Sequence, residues 1–257
     1  MATGLLEQAI GRRRALGGFL SAFAVVALVR EARAGAAPAG GAAQRWVDGQ
    51  RDIAEGLAAG RITPLGWAQE VERLAAEVDP GELMALVERS QITAAGPASH
   101  NDPAKRHVRF LDPAGQPRRL GYGAALFDFA PGNVITPHGH RNMVSAHLVV
   151  KGRFRVRNFD RLADEAGAMR IRPTRDYAAG IGQVSTMCEA RDNIHWFVPL
   201  AGPATTFDVV ISGIDPAAPD FTIEAIDPVN ARPLGGGSVL APKIGFADAS
   251  ARYTADI

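Results

Sequence analysis

The sequence predicts a mainly β protein: a sandwich or barrel of short strands preceded by a small helical region. Three observations support that prediction. Between residues 106 and 212, short alternating or apolar stretches are separated by Gly, Pro and Asp, the punctuation of an antiparallel β fold. Between residues 44 and 88, apolar residues instead recur at helical spacing behind recognisable cap residues. Before residue 35 neither pattern holds, and the chain has the composition of an address.

That first segment, 1–34, reads as an export signal. Arg12, Arg13 and Arg14 precede an uncharged run from Ala15 to Val29, and Ala32-Arg33-Ala34 supplies an A-x-A ending. The run is too short to span a membrane and contains Gly17, Gly18 and Ser21, so no stable span is expected once the signal is cleaved. The consecutive arginines followed by Leu16 resemble a twin-arginine signal, although Gly11 stands where Ser or Thr is usual. The resemblance implies a periplasmic or secreted protein, exported already folded. The alternatives are a plain secretory signal and an uncleaved amphipathic anchor. The whole chain has a formal charge of +1, but five arginines against two glutamates fall in 1–34, so the remainder is mildly acidic. Such a balance argues against a nucleic-acid partner. One cysteine excludes an intrachain disulfide framework and a cysteine-rich zinc site.

Residues 35–94 read as a flexible leader followed by helices. Gln44 to Ala59 aligns Trp46, Ile53, Ala54 and Leu57 and stops at Gly60. Thr63 is a candidate N-cap with Pro64 at the first helical position, opening a segment to Val78. Asp79-Pro80-Gly81-Glu82 resembles a capping box before Leu83, Leu86 and Val87. Residues 95–228 form the expected β-barrel. Candidate strands are Arg106–Leu111, Leu120–Phe129, Ser145–Val150, Arg153–Asn158, Met169–Arg172, Gln183–Met187, Asn193–Val198 and Thr205–Ser212. The Arg153, Arg155 and Arg157 stripe alternates with Phe154 and Val156, which predicts one solvated face. Asn193–Val198 is apolar on both faces and needs a covering layer, from the helices or a second subunit. Residues 229–257 read as a tail with little periodicity.

All six histidines lie between His100 and His195. His138 and His140 form H-x-H, which on a strand places both imidazoles on one face, about 6–7 Å apart. Two such rings suit metal ligation through nitrogen; the bland alternative is a pair of polar strand residues. His147 lies on the strand face of Ser145, about 7 Å further on, and reads as a pocket histidine rather than a fourth ligand. Arg141, His100 and His107 read as surface or loop residues, and Cys188 as packed.

Gly132, the H-x-H pair and Gly152 are spaced as in the first motif of the cupin superfamily, and His195 fits the second. Ser145 occupies the position of the family's glutamate, and the proline and glycine before the second-motif histidine are absent. The resemblance covers roughly 120–211 and implies a jelly-roll barrel, a double-stranded β-helix, with His138, His140 and His195 as metal ligands. The stretch His138-Gly139-His140-Arg141-Asn142-Met143 and the element Asn193-Ile194-His195-Trp196-Phe197 resemble the three-histidine thiol dioxygenases of the cysteamine and plant N-terminal-cysteine type. Asp208, in Phe207-Asp208-Val209-Val210, sits where those enzymes carry an aspartate in an apolar strand. Their tyrosine and double-proline segment is replaced here by Ser212-Gly213-Ile214-Asp215.

The resemblance implies Fe(2+), with Zn, Mn, Cu and Ni as alternative metals. It implies dioxygen and a small thiol, or another chelating anion, as substrates. Asp208 and His147 are the candidate catalytic residues, with a backbone-bonded buried aspartate as the alternative for Asp208. A non-catalytic metal- or ligand-binding cupin of the periplasm is the second functional reading, and a homodimer is compatible with either.

Overall fold

The structure, a computed structural model, describes residues 41–95 and 101–254. The export signal, most of the leader and His100 lie outside the described residues. Three helices come first: α1 (Ala42–Ala58), α2 (Pro64–Ala75) and α3 (Pro80–Glu88). The starts of α2 and α3 are chemically marked. Thr63 Oγ1 accepts from Gly66 N at 3.1 Å, and Asp79 Oδ1 accepts from Glu82 N at 2.9 Å. Glu82 does not complete a capping box. Its carboxylate instead accepts from Ala43 N at 3.3 Å, tying the third helix to the first.

Thirteen strands follow among the described residues. The first seven are β1 (Gln91–Ala94), β2 (Ala104–Arg109), β3 (Gly123–Phe129), β4 (Ile135–Arg141), β5 (Met143–Lys151), β6 (Phe154–Glu165) and β7 (Ala168–Ala179). The rest are β8 (Val184–Met187), β9 (Ile194–Pro199), β10 (Ala204–Ser212), β11 (Thr222–Ala225), β12 (Arg232–Gly235) and β13 (Ser238–Pro242). A short helix, α4 (Phe246–Arg252), closes the described chain.

The strands form two antiparallel sheets, ordered β1-β2-β3-β10-β5-β8 and β11-β4-β9-β6-β7-β13-β12. Consecutive strands β4 and β5 lie in different sheets, and β9 and β10 do likewise, so the chain alternates between layers as a jelly roll requires. This is the jelly-roll, double-stranded β-helix architecture that the resemblance implies. Between the layers, Phe129, Val149 and Ala204 from one sheet meet Ile135, Phe154, Val156 and Phe197 from the other. That apolar plug fills one part of the interior, leaving the polar inner residues grouped beside it.

Alternation along each strand gives the opposite faces their own cover. Leu126, Leu148, Phe207 and Val209 face outward from the six-stranded sheet and pack with Trp46, Trp67, Val71 and Leu83 of the helices. The apolar outer face of β9 is covered by a different element. Trp196 and Val198 pack with Ala249 and Tyr253, the Trp196 and Tyr253 rings meeting edge-on at 4.9 Å. The N-terminal helices therefore cover the other sheet, and neither they nor a second subunit is needed on β9. Arg157 lies over the outer side of Trp196, its Cζ 3.9 Å from the ring centroid, and Arg155 pairs with Asp176 at 2.7 Å.

β6 and β7 run well beyond the alternating segments legible in the sequence. Past Asn158 their hairpin is largely solvent-exposed and held by cross-strand ion pairs, Arg172 to Asp160 at 2.9 Å and Arg170 to Glu165 at 2.8 Å. Only Phe159, Met169 and Ile171 are buried there, packing with Ile194 and Ile226, so the period-2 signal is confined to Met169–Arg172 and the remaining length leaves none. No helix among the described residues is long and apolar enough to cross a membrane.

Candidate metal centre

H-x-H lies on β4, and its geometry depends on the residue between the histidines. A Cβ on Gly139 would stand 2.9 Å from Asn193 Oδ1 and 3.0 Å from Ile194 Cγ1, so only glycine lets β9 approach this closely. Register then does the rest. His138 is the Cα partner of His195, and Asn158 on β6 is the next partner across. Residues opposite one another in an antiparallel pair share a face, so His138, His140 and His195 all point into the barrel.

Their ligand nitrogens lie within 4.8 Å of one another. The ring centroids are 5.1 Å apart for His138 and His140, 4.2 Å for His138 and His195, and 5.0 Å for His140 and His195. A carbonyl can only accept, so the 2.8 Å contact between His138 Nδ1 and Thr136 O fixes the proton on Nδ1 and leaves the Nε2 lone pair free. Asn193 brackets the next ligand strand, accepting from His140 N at 3.3 Å and donating to His140 O at 2.8 Å. Its position two residues before His195 was visible in the sequence, but its role needed the β4–β9 pairing.

Burial is the largest electrostatic influence here. It pushes His138 down to about 4, against the opposing hydrogen bond to Thr136. Burial, then the neighbouring imidazoles, hold His140 and His195 well below the usual histidine value. All three are therefore neutral near pH 7, the form that donates a lone pair to a metal. His195 Nδ1 is buried with no hydrogen-bond partner among the described residues. Three converging neutral imidazoles fit a divalent cation well.

The opposite wall comes from the other sheet. Ser145 and His147 lie on β5, and Asp208 on β10 is the Cα partner of His147. Ser145 Oγ is 3.4 Å from His140 Nδ1, a weak contact where a carboxylate would have supplied a negative charge. His147 Nδ1 approaches Asp208 Oδ2 to 2.5 Å, misaligned for a hydrogen bond, and neither that nitrogen nor either Asp208 oxygen has a hydrogen-bond partner among the described residues. Both are buried, at 5% and 1% exposure. His147 is further fixed by rings: His195 at 5.0 Å, Phe197 at 4.8 Å and Phe127 at 6.2 Å. The sequence-predicted residues His138, His140, His195, His147 and Asp208 thus meet in one place, but the three-histidine ligand cluster does not include His147.

The other candidates lie elsewhere. Arg141 alternates away from His140 and is ion-paired with Asp164. Cys188 is buried in the core beneath the helices, which pushes its thiol pKa up. His107 is exposed on β2. One residue beside the site gave no sequence signal: Phe246, at the start of α4, whose ring lies 5.9 Å from that of His138 at 61°.

No family profile matches the chain. Among curated proteins, germin-like protein subfamily 1 member 3 of Arabidopsis thaliana is 38% identical over 73 residues, covering 28% of this chain and 32% of that protein. The chain thus matches about a third of that relative's length. Similar solved structures include an oxalate oxidase, at 22% identity and TM-score 0.34, covering 51% of this chain and 59% of the other. A double-stranded β-helix protein from Klebsiella pneumoniae subsp. pneumoniae aligns at 15% identity and TM-score 0.32, covering 49% and 82%.

Proposed function

We propose that this chain is an exported mononuclear non-haem iron cupin that oxidises a small thiol to a sulfinate with dioxygen. The observation that carries the reading is the donor set: three neutral imidazoles converge, and no carboxylate joins the cluster among the described residues. A divalent ion held by neutral ligands keeps its full charge and favours an anionic partner such as a thiolate. Bound to His138, His140 and His195, iron(II) would supply the redox chemistry and adjacent open positions.

The chain's own residues do the rest. Thr136 and Asn193 fix the orientation of the β4 ligands, and Ser145 leaves the anionic position to the substrate. Asp208 lies against His147, and His147 in turn packs on His195, so both act as positioning residues beside the cluster. Phe129, Phe154 and Phe197 exclude water from its closed end. The overall change balances as thiol plus dioxygen giving sulfinic acid: sulfur loses four electrons, dioxygen gains four, and both oxygen atoms end on sulfur.

The twin-arginine-like residues Arg12 and Arg13 support export of the folded protein. Affinity order alone favours copper or zinc over iron at imidazoles, so loading before export would fix the metal. The absent carboxylate also favours a second reading, a non-catalytic metal- or ligand-binding cupin. Incubating the iron-loaded protein with thiols and dioxygen decides between them. Sulfinate formation that disappears in His195→Ala is the expected result. No oxygen consumption with any thiol or 1,3-diketone would leave the binding protein, and turnover of the diketone alone would replace thiol oxidation by carbon–carbon cleavage.

A further inference from the structure

We infer that the substrate at the histidine cluster carries an apolar, uncharged substituent, and that Ile223 and Phe246 select it. The inference rests on the reading of the cluster as a metal site and names the class of thiol it receives.

The histidine cluster has unlike borders. On the six-stranded side it is polar, with Ser145, His147 and Asp208. On the seven-stranded side it ends at the sheet edge, where β11 lies beyond β4. Ile223 is the Cα partner of His140 in that pairing and so faces the same side as the histidine. It is 41% exposed. Glu224, on the opposite face, is taken up by Arg161 at 2.5 Å and Lys243 at 2.7 Å. The strand therefore turns its charge away from the histidines and its isoleucine towards them.

Phe246 reaches the same edge from another element. It is 42% exposed, yet its ring packs against His138. Its place is fixed by the far end of α4, where Tyr253 donates to Asp227 at 2.7 Å and Arg252 pairs with the same carboxylate. Two large apolar side chains, one beside each histidine of the H-x-H pair, are left partly open to solvent. An apolar group held there would remove both from water while its anionic head reached the imidazoles. The nearby cation Arg141 is ion-paired with Asp164 and faces away from the histidines, so it offers no partner for a second anionic group.

The test uses the full chain loaded with cobalt(II), whose visible bands report ligand exchange without turnover. 2-Phenylethanethiol and 2-mercaptoethanol are titrated separately under anaerobic conditions. The wild-type protein is expected to bind the phenyl thiol about tenfold more tightly. Phe246→Ala and, independently, Ile223→Ser are each expected to bring that ratio towards about one, with the far-ultraviolet dichroism retained. Phe246→Leu, which keeps apolar bulk, retains most of it. Equal binding in the wild type, a preference for the hydroxyl thiol, or a ratio untouched by either truncation overturns the inference while leaving the metal reading intact. Failure of cobalt to bind, or of any thiol to perturb its bands, overturns the metal reading and this inference with it.

Discussion

Burial sets the protonation of His138, His140 and His195 before any ligand arrives. In an unfolded chain an imidazole takes up its proton as pH falls through about 6.5. In the fold His138 resists protonation down to about 4, and the other two also stay neutral well below their usual value. Between those limits the unfolded chain binds more protons than the folded one, so stability falls as pH is lowered. Each depressed histidine contributes about 1.4 kcal/mol per pH unit inside its own window. Denaturant midpoints of the metal-free protein are therefore expected to be lower at pH 5 than at pH 7, and equal midpoints would contradict the neutral triad. The triad was legible in the sequence because H-x-H uses the period of a strand and His195 sits in a recognisable motif. The contact between Asp208 and His147 was not, because it depends on β10 pairing with β5 across about sixty residues of intervening chain.

The best-read elements are those whose signals are local. Thr63 and Asp79 announced α2 and α3 through hydrogen bonds only three residues long, so those helix starts could be placed from sequence. β11, β12, β13 and α4 contain four to seven residues each, too few for a period to emerge. Yet α4 is the element that covers β9 and carries Phe246 to the site. Its attachment rests on Tyr253, fully buried, with its ring against Trp196 and its hydroxyl on Asp227. Tyr253→Ala is expected to cost about 3–5 kcal/mol. Tyr253→Phe, which loses only the hydrogen bond, is expected to cost about 1 kcal/mol. Urea unfolding of the two variants checks the order, and equal losses would show that the hydroxyl, not the ring, anchors the helix.

For the molecule as a whole, a site assembled only in the folded state links metal binding to stability. A divalent cation at a hundredfold excess over its dissociation constant adds about 2.7 kcal/mol. Thermal midpoints should rise with added zinc or iron(II), return with a chelator, and fail to respond in His140→Ala. A midpoint in the wild type indifferent to every divalent metal would remove the metal from this protein's function.

The division of the site between the sheets has a consequence for how such a protein diversifies. The three imidazoles belong to β4 and β9, neighbours in one sheet, whereas Ser145, His147 and Asp208 belong to β5 and β10 in the other. Mutations that exchange side chains on the second sheet can reshape the chamber while the cradle on the first persists. On the proposed function, one grip on a metal can in this way acquire new substrates by redecorating the wall it faces.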